Sequence, residues 1–165
     1  PHGRRVARRL LDEAQRLARR GAYGEARARL RVLREERIGP GIASRASLLE
    51  AHIARLERQP EQAIALLGPV SRTNGSGAEQ ALFLIGEIHA GDLHRERAAQ
   101  PIWTEYLARF ERGTYRTEVL YRLGAALTRS GERPRGTALL RQYLELAPTG
   151  AHATQARELL RGSGR

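Results

Sequence analysis

Residues 75–110, GSGAEQALFLIGEIHAGDLHRERAAQPIWTEYLARF, are followed by a second copy of the same layout at 113–148, GTYRTEVLYRLGAALTRSGERPRGTALLRQYLELAP. With Gly75 laid on Gly113, Leu82 falls on Leu120, Ile85 on Leu123, Gly86 on Gly124 and Ala98 on Gly136. One residue is then lost, so that Tyr106-Leu107 falls on Tyr143-Leu144 at an offset of 37. A third copy begins at Gly150, where GAHATQARELL follows the layout of GTYRTEVLYRL. Self-similarity at such a period marks a stack of supersecondary units, none of which can bury its apolar face alone. It directs the question of function toward surfaces and away from catalysis.

Local patterning gives each unit two helices. Apolar residues recur at helical spacing from about Arg4 to Arg20, and Gly21 stops the run. GAYGEA then opens a helix reaching about Arg37, and Ile38-Gly39-Pro40-Gly41 breaks the chain. The second pair covers about Ala43–Arg58 and Pro60–Val70, with Pro60 in the first helical turn, where its missing N–H costs nothing. The third spans about Ala78–Ala90 and Arg95–Phe110, and Pro101 inside its second helix should bend it. The fourth spans about Thr117–Arg129 and Pro134–Leu146. A ninth helix, about Ala151–Leu160, ends in a loose GSGR tail. No segment alternates apolar and polar residues over five positions, so no strand is expected. The expectation is an all-α chain: one right-handed α-solenoid of four antiparallel pairs (4–38, 42–74, 76–111 and 114–148) closed by a capping helix at 151–161. The cap covers the apolar side of the last pair.

Small residues at Gly86, Gly124, Ala98, Gly136, Ala26 and Ala63 let paired helices approach closely, and Gly21 and Gly131 suit the left-handed conformation that ends a helix. With these positions, LYRLGAALTRSGERPRGTALLRQYLELAP resembles the tetratricopeptide repeat. The matching residues are Leu120, Leu123-Gly124, Gly131, Gly136 and Pro148. The preceding copy offers Leu82, Ile85-Gly86, Ala98 and the Trp103 helix, without the closing Pro. The first pair offers Leu10, Ala14, Gly21, Ala26 and Leu30; the second matches least, through Ala51, Ala63 and Leu67. The longer period and the wording YLARFERGTYRTEVLYRLG resemble a subset of these repeats found in periplasmic Tol–Pal-associated cell-division coordinators. More distantly they resemble the lipoproteins of outer-membrane barrel assembly. That resemblance implies a scaffold of the bacterial cell envelope, with no catalytic role.

It also implies that the first helices of the pairs (the A helices) line a concave groove. By that register the groove presents Arg8, Leu11 and Arg19 from the first pair, and Arg45, His52 and Arg55 from the second. Phe83 and Glu87 come from the third, and Tyr121, Arg122 and Arg129 from the fourth. Guanidinium forks suit carboxylates, so the implied partner is a peptide or protein segment carrying acidic residues or a free C-terminus. The paired Asn and Lys used by members that bind chaperone tails are absent. Self-association is compatible with the layout.

Charge supplies the rival reading. All 29 basic residues are Arg, and the net charge is +11. Residues 1–40 hold 12 Arg against 5 acidic residues, so the excess is densest in the first helix pair. Genomic bias toward Ala, Gly and Arg codons accounts for such a composition. An alternative is a surface for nucleic acid or an anionic membrane, formed by Arg4, Arg5, Arg8, Arg9, Arg16, Arg19 and Arg20 with Arg27, Arg31 and Arg34. Base-stacking aromatics are missing there apart from Tyr23, and bulky apolar residues for membrane insertion are few.

No chemical motif competes. There is no Cys, hence no disulfide or thiolate site. Glu87, His89, Asp92 and His94 have a spacing that fits no ligand motif. The GSG at 75–77 lacks the Lys and the strand of a phosphate loop, and no nucleophile elbow occurs. Neither enzyme activity, metal nor cofactor is expected. Apolar runs are too short to span a membrane. The chain opens at Pro1 and lacks Met, which reads as part of a longer protein.

Overall fold

The computed structural model describes residues 2–36 and 38–162. Arg37, the expected end of the second helix, and residues 163–165 of the expected tail lie outside them. The described residues are all-helical, with no strand. The helices are α1 (His2–Arg19), α2 (Tyr23–Glu35), α3 (Pro40–Leu56), α4 (Pro60–Ser71), α5 (Ala78–Glu87), α6 (Glu96–Arg109), α7 (Arg116–Arg129), α8 (Arg133–Leu146) and α9 (Ala153–Gly162). A π-helical turn, Ile88–Asp92, continues α5. Pro101 lies inside α6, which runs on past it to Arg109.

The chain forms two compact units, residues 1–81 and 82–165. In the first, α1 packs on α2 and α3 on α4, and α3 also contacts both α1 and α2. Leu11, Ala14, Leu30, Leu33 and Ile53 are sealed in its core. In the second, α6 packs on the π turn and on α7, α7 on α8, and α9 on both α7 and α8. Trp103, Tyr106, Leu123 and Leu127 fill one part of that core, and Leu120, Leu140 and Tyr143 another.

The turns inside the four pairs share a left-handed closing residue, and three of them repeat one hydrogen-bonding scheme. A residue in the left-handed region ends the first helix: Gly21 (φ 78°), Arg58 (φ 59°), His94 (φ 52°) and Gly131 (φ 96°). The next residue donates its N–H back to the carbonyl of the last turn: Ala22 to Leu17, Gln59 to Ala54 and Glu132 to Leu127, each five residues away at 2.8–3.0 Å. This is the Schellman closure. Ala22, Gln59, Arg95 and Glu132 precede the second helices with no side-chain cap bond. The second pair, which matches least in sequence, is thus as complete as the others.

The third turn differs by one residue. Arg95 bonds to His89, six residues back at 2.7 Å, and Leu93 bonds to Ile88, five back, where Ser130 bonds to Ala126, four back. The additional residue therefore sits in the π turn, which is how a π turn enters an α-helix. This corrects the sequence register: the counterpart of Gly136 is Ala99, fully buried, and Ala98 is only half-buried. Ala26, Ala63, Ala99 and Gly136 then share one buried position, and Leu30, Leu67, Trp103 and Leu140 another.

Small residues set the helix approach in the second unit. A Cβ on Gly136 would lie 2.8 Å from the Gly124 carbonyl oxygen and 2.7 Å from the Thr128 nitrogen, so α7 and α8 meet backbone to backbone. A Cβ on Gly86 would lie 2.6 Å from Cδ1 of Trp103.

Candidate partner-binding surfaces

In the second unit a cluster of three rings occurs twice. Phe83 on α5 stacks on Tyr115 in the loop before α7, with centroids 4.2 Å apart and planes 7° apart, and meets Tyr106 of α6 edge-on. At the corresponding positions Tyr121 on α7 stacks on His152 before α9, 4.1 Å and 3° apart, and tilts against Tyr143 of α8. In both copies the tyrosine of the second helix accepts a hydrogen bond from the N–H of the stacked loop residue, Tyr115 or His152. Phe83 and Tyr121, expected as groove anchors, are thus each engaged on one ring face by a loop residue.

The charged groups here are paired with one another. Arg122 Nε lies 3.1 Å from Glu87 and 2.8 Å from Glu118, and the second Glu118 oxygen lies 2.9 Å from His152 Nε2. Arg129 grips Glu96 through two nitrogens, at 2.7 and 3.3 Å. Arg122 and Arg129, expected to line the partner groove, are each held by intramolecular carboxylates. Two clefts open beside them. One, about 280 Å³, is lined by Ala90 and Gly91 of the π turn, Trp103, Tyr121, Arg129 and His152. The other, about 550 Å³, lies between α7 and α9 and is lined by Tyr121, Thr128, Arg129, Arg133, Gln155 and Leu159. Tyr121 and Arg129 belong to both.

His152 was not singled out by the sequence, which placed it within the expected ninth helix. Its only signal was its place 37 residues after Tyr115.

The remaining expected groove residues, Arg8, Leu11, Arg19, Arg45, His52 and Arg55, belong to the first unit. Leu11 is a correction: at 0% exposure it is core, because its side of α1 faces the packing that joins α1 to its neighbours. Arg8, Arg19, Arg45 and His52 are exposed, and Arg55 is half-buried. The rival basic surface shrinks on α2, where Arg27 pairs with Glu57 at 2.7 Å and Arg34 with Glu50 at 2.6 Å. Arg9 and Arg29 both reach Glu13.

Glu50 is the perturbed carboxyl of this unit. Burial holds it above the usual carboxylate range, and the opposing attraction of Arg34 and Arg27 does not make up for the lost water.

Among the described residues no cluster of three metal-ligating side chains occurs, and no helix is long and apolar enough to cross a membrane. The chain matches no family model, no curated protein and no solved structure.

Proposed function

We propose that this chain is a non-catalytic scaffold of the tetratricopeptide type, a right-handed solenoid of helix pairs that holds a segment of a partner protein against its A helices. The three matching turns, the third turn lengthened by one residue, and the doubled ring cluster support the repeat reading. The binding reading is carried by one observation: two clefts on the second unit meet at Tyr121 and Arg129. A partner segment gains an aromatic edge from Tyr121, apolar contact from Leu159 and hydrogen bonds from Thr128 and Gln155.

Acidic residues of the partner are best served by Arg133, an exposed cleft residue with no ion pair among the described residues. Arg122 and Arg129 can accept a new carboxylate only by exchanging one they already hold.

Selection of displayed peptides on the full chain, followed by calorimetry of the winners, tests this. Tyr121→Ala and Arg133→Glu should each weaken a selected peptide about tenfold or more, in keeping with loss of an aromatic anchor or reversal of a charge. Unchanged affinity in both variants removes the cleft from the binding surface.

A further inference from the structure

We propose that the outward face of α1 is a second, independent binding surface, which holds the phosphodiester backbone of double-stranded nucleic acid without reading its sequence. Arg4, Arg5, Arg8, Arg16, Arg19 and Arg20 are all exposed, and none of their side chains makes a hydrogen bond or ion pair among the described residues. At 100° per residue Arg4 to Arg19 project over one side of α1, a row about 22 Å long at 1.5 Å per residue, and Arg20 follows directly in the turn. One acidic residue, the exposed Asp12, interrupts it. Elsewhere in this unit Arg27, Arg29 and Arg34 are tied to carboxylates. Arg31, Arg45, Arg58 and Arg72 are exposed singly on other segments, so the longest run of unpaired cations in this unit is the one along α1.

Three observations select the ligand. Every cation is a guanidinium, whose planar fork matches phosphate oxygens. No Phe, Tyr or Trp lies on α1, so it offers no large aromatic platform on which unpaired bases could stack. The apolar side of α1, with Ala7, Leu10, Leu11, Ala14 and Ala18, is already enclosed in the core. A helix that lies in a membrane interface must keep that side free to enter the lipid. A rigid row of guanidinium groups along a duplex backbone meets all three conditions.

Four phosphate contacts give a slope of about −3.6 for log affinity against log salt, a loss of about a hundredfold between 50 and 200 mM salt. The experiment uses the full chain and a fluorescein-labelled 24-base-pair duplex followed by anisotropy, with phosphatidylglycerol vesicles in parallel. Arg8→Gln with Arg19→Gln should weaken duplex binding about tenfold or more and flatten the slope by about two. Asp12→Asn should tighten it severalfold, a gain that misfolding does not produce. Helical circular dichroism should be unchanged in every variant, since each side chain is exposed. The surface does not rest on the cleft reading, so Tyr121→Ala should leave duplex affinity as it is. Absence of duplex binding at 50 mM salt overturns the proposal, as does indifference to the α1 substitutions. Tighter binding to vesicles than to duplex, lost in the same Arg variants, overturns it in favour of a membrane surface.

Discussion

The Tyr143 hydroxyl accepts a hydrogen bond from the backbone N–H of His152 at 2.9 Å, and 37 residues earlier Tyr106 does the same for Tyr115 at the same distance. Each bond fastens the end of one helix pair to the entry of the next helix. The surrounding backbone follows the same offset. Phe110 and Ala147 bond to the two tyrosine carbonyls, and Gly113 and Gly150 bond to Phe110 and Ala147. A repeat in sequence has become a repeat in bonds.

Tyr106→Phe and Tyr143→Phe remove only the acceptor and leave a backbone N–H without its partner. Tyr106 is 0% and Tyr143 3% exposed. Each substitution should cost about 1–2 kcal/mol of stability, read from urea midpoints. Amide exchange at Tyr115 or His152 should accelerate only in the matching variant. Equal protection in both variants argues against the hydroxyl as the fastening group.

Glycine positions divide by what a methyl group would meet. Gly136→Ala drives a Cβ into the backbone of α7 and should cost about 3 kcal/mol, at the severe end for overpacking. Gly24 lies in α2, and a methyl group there would meet nothing within 4 Å, so Gly24→Ala should stabilise by about 0.5 kcal/mol through helix propensity. Thermal unfolding of the two variants should shift in opposite directions.

Arg58 and His94 hold left-handed backbone conformations without being glycine. That conformation costs an L-residue about 1–2 kcal/mol, part of which glycine returns as unfolded-state entropy. Arg58→Gly should therefore raise stability by about 0.5–1 kcal/mol, measured by denaturant titration. A loss of stability would mean that the Arg58 side chain supports the turn.

Glu50 makes stability depend on pH with a definite sign. Its folded carboxyl lies above its ordinary value of 4.5 because burial disfavours the charge. The folded chain thus binds this proton more readily than the unfolded chain. Its contribution to stability rises as pH falls from neutral through the raised value, and levels off below the ordinary one. Glu50→Gln removes that dependence. The variant should match or exceed the parent at neutral pH, and lose any advantage as pH falls to the ordinary value of 4.5. Denaturant midpoints at the two pH values check this; a variant whose deficit is larger at neutral pH than in acid would contradict it.

Much of the helical plan was legible because its signals are local. Gly21 and Gly131 mark turns through their freedom at positive φ, and Pro60 marks a helix start. The turns at Arg58 and His94 were not legible as such, since neither residue type favours the left-handed region. Ala99 was missed for Ala98 because a π turn leaves no compositional trace; it shows only as one residue of drift between copies. Tyr121 and Arg129 were legible as surface residues, but the partners of Arg129 and Arg122 were not. Glu96 lies 33 residues from Arg129 and Glu87 lies 35 from Arg122, separations that no local pattern reports.

By itself the sequence determined the period, the helices and the all-α class, because spacing of apolar residues and backbone preferences act within a few residues of chain. The tertiary structure decided which arginines remain free. On α1 the exposed side has one carboxylate to offer and stays basic, whereas beside α7 the packing of α6 and the π turn delivers Glu96 and Glu87 to Arg129 and Arg122. Charge is a property of residues, but its availability depends on neighbours that only folding brings within a few ångströms.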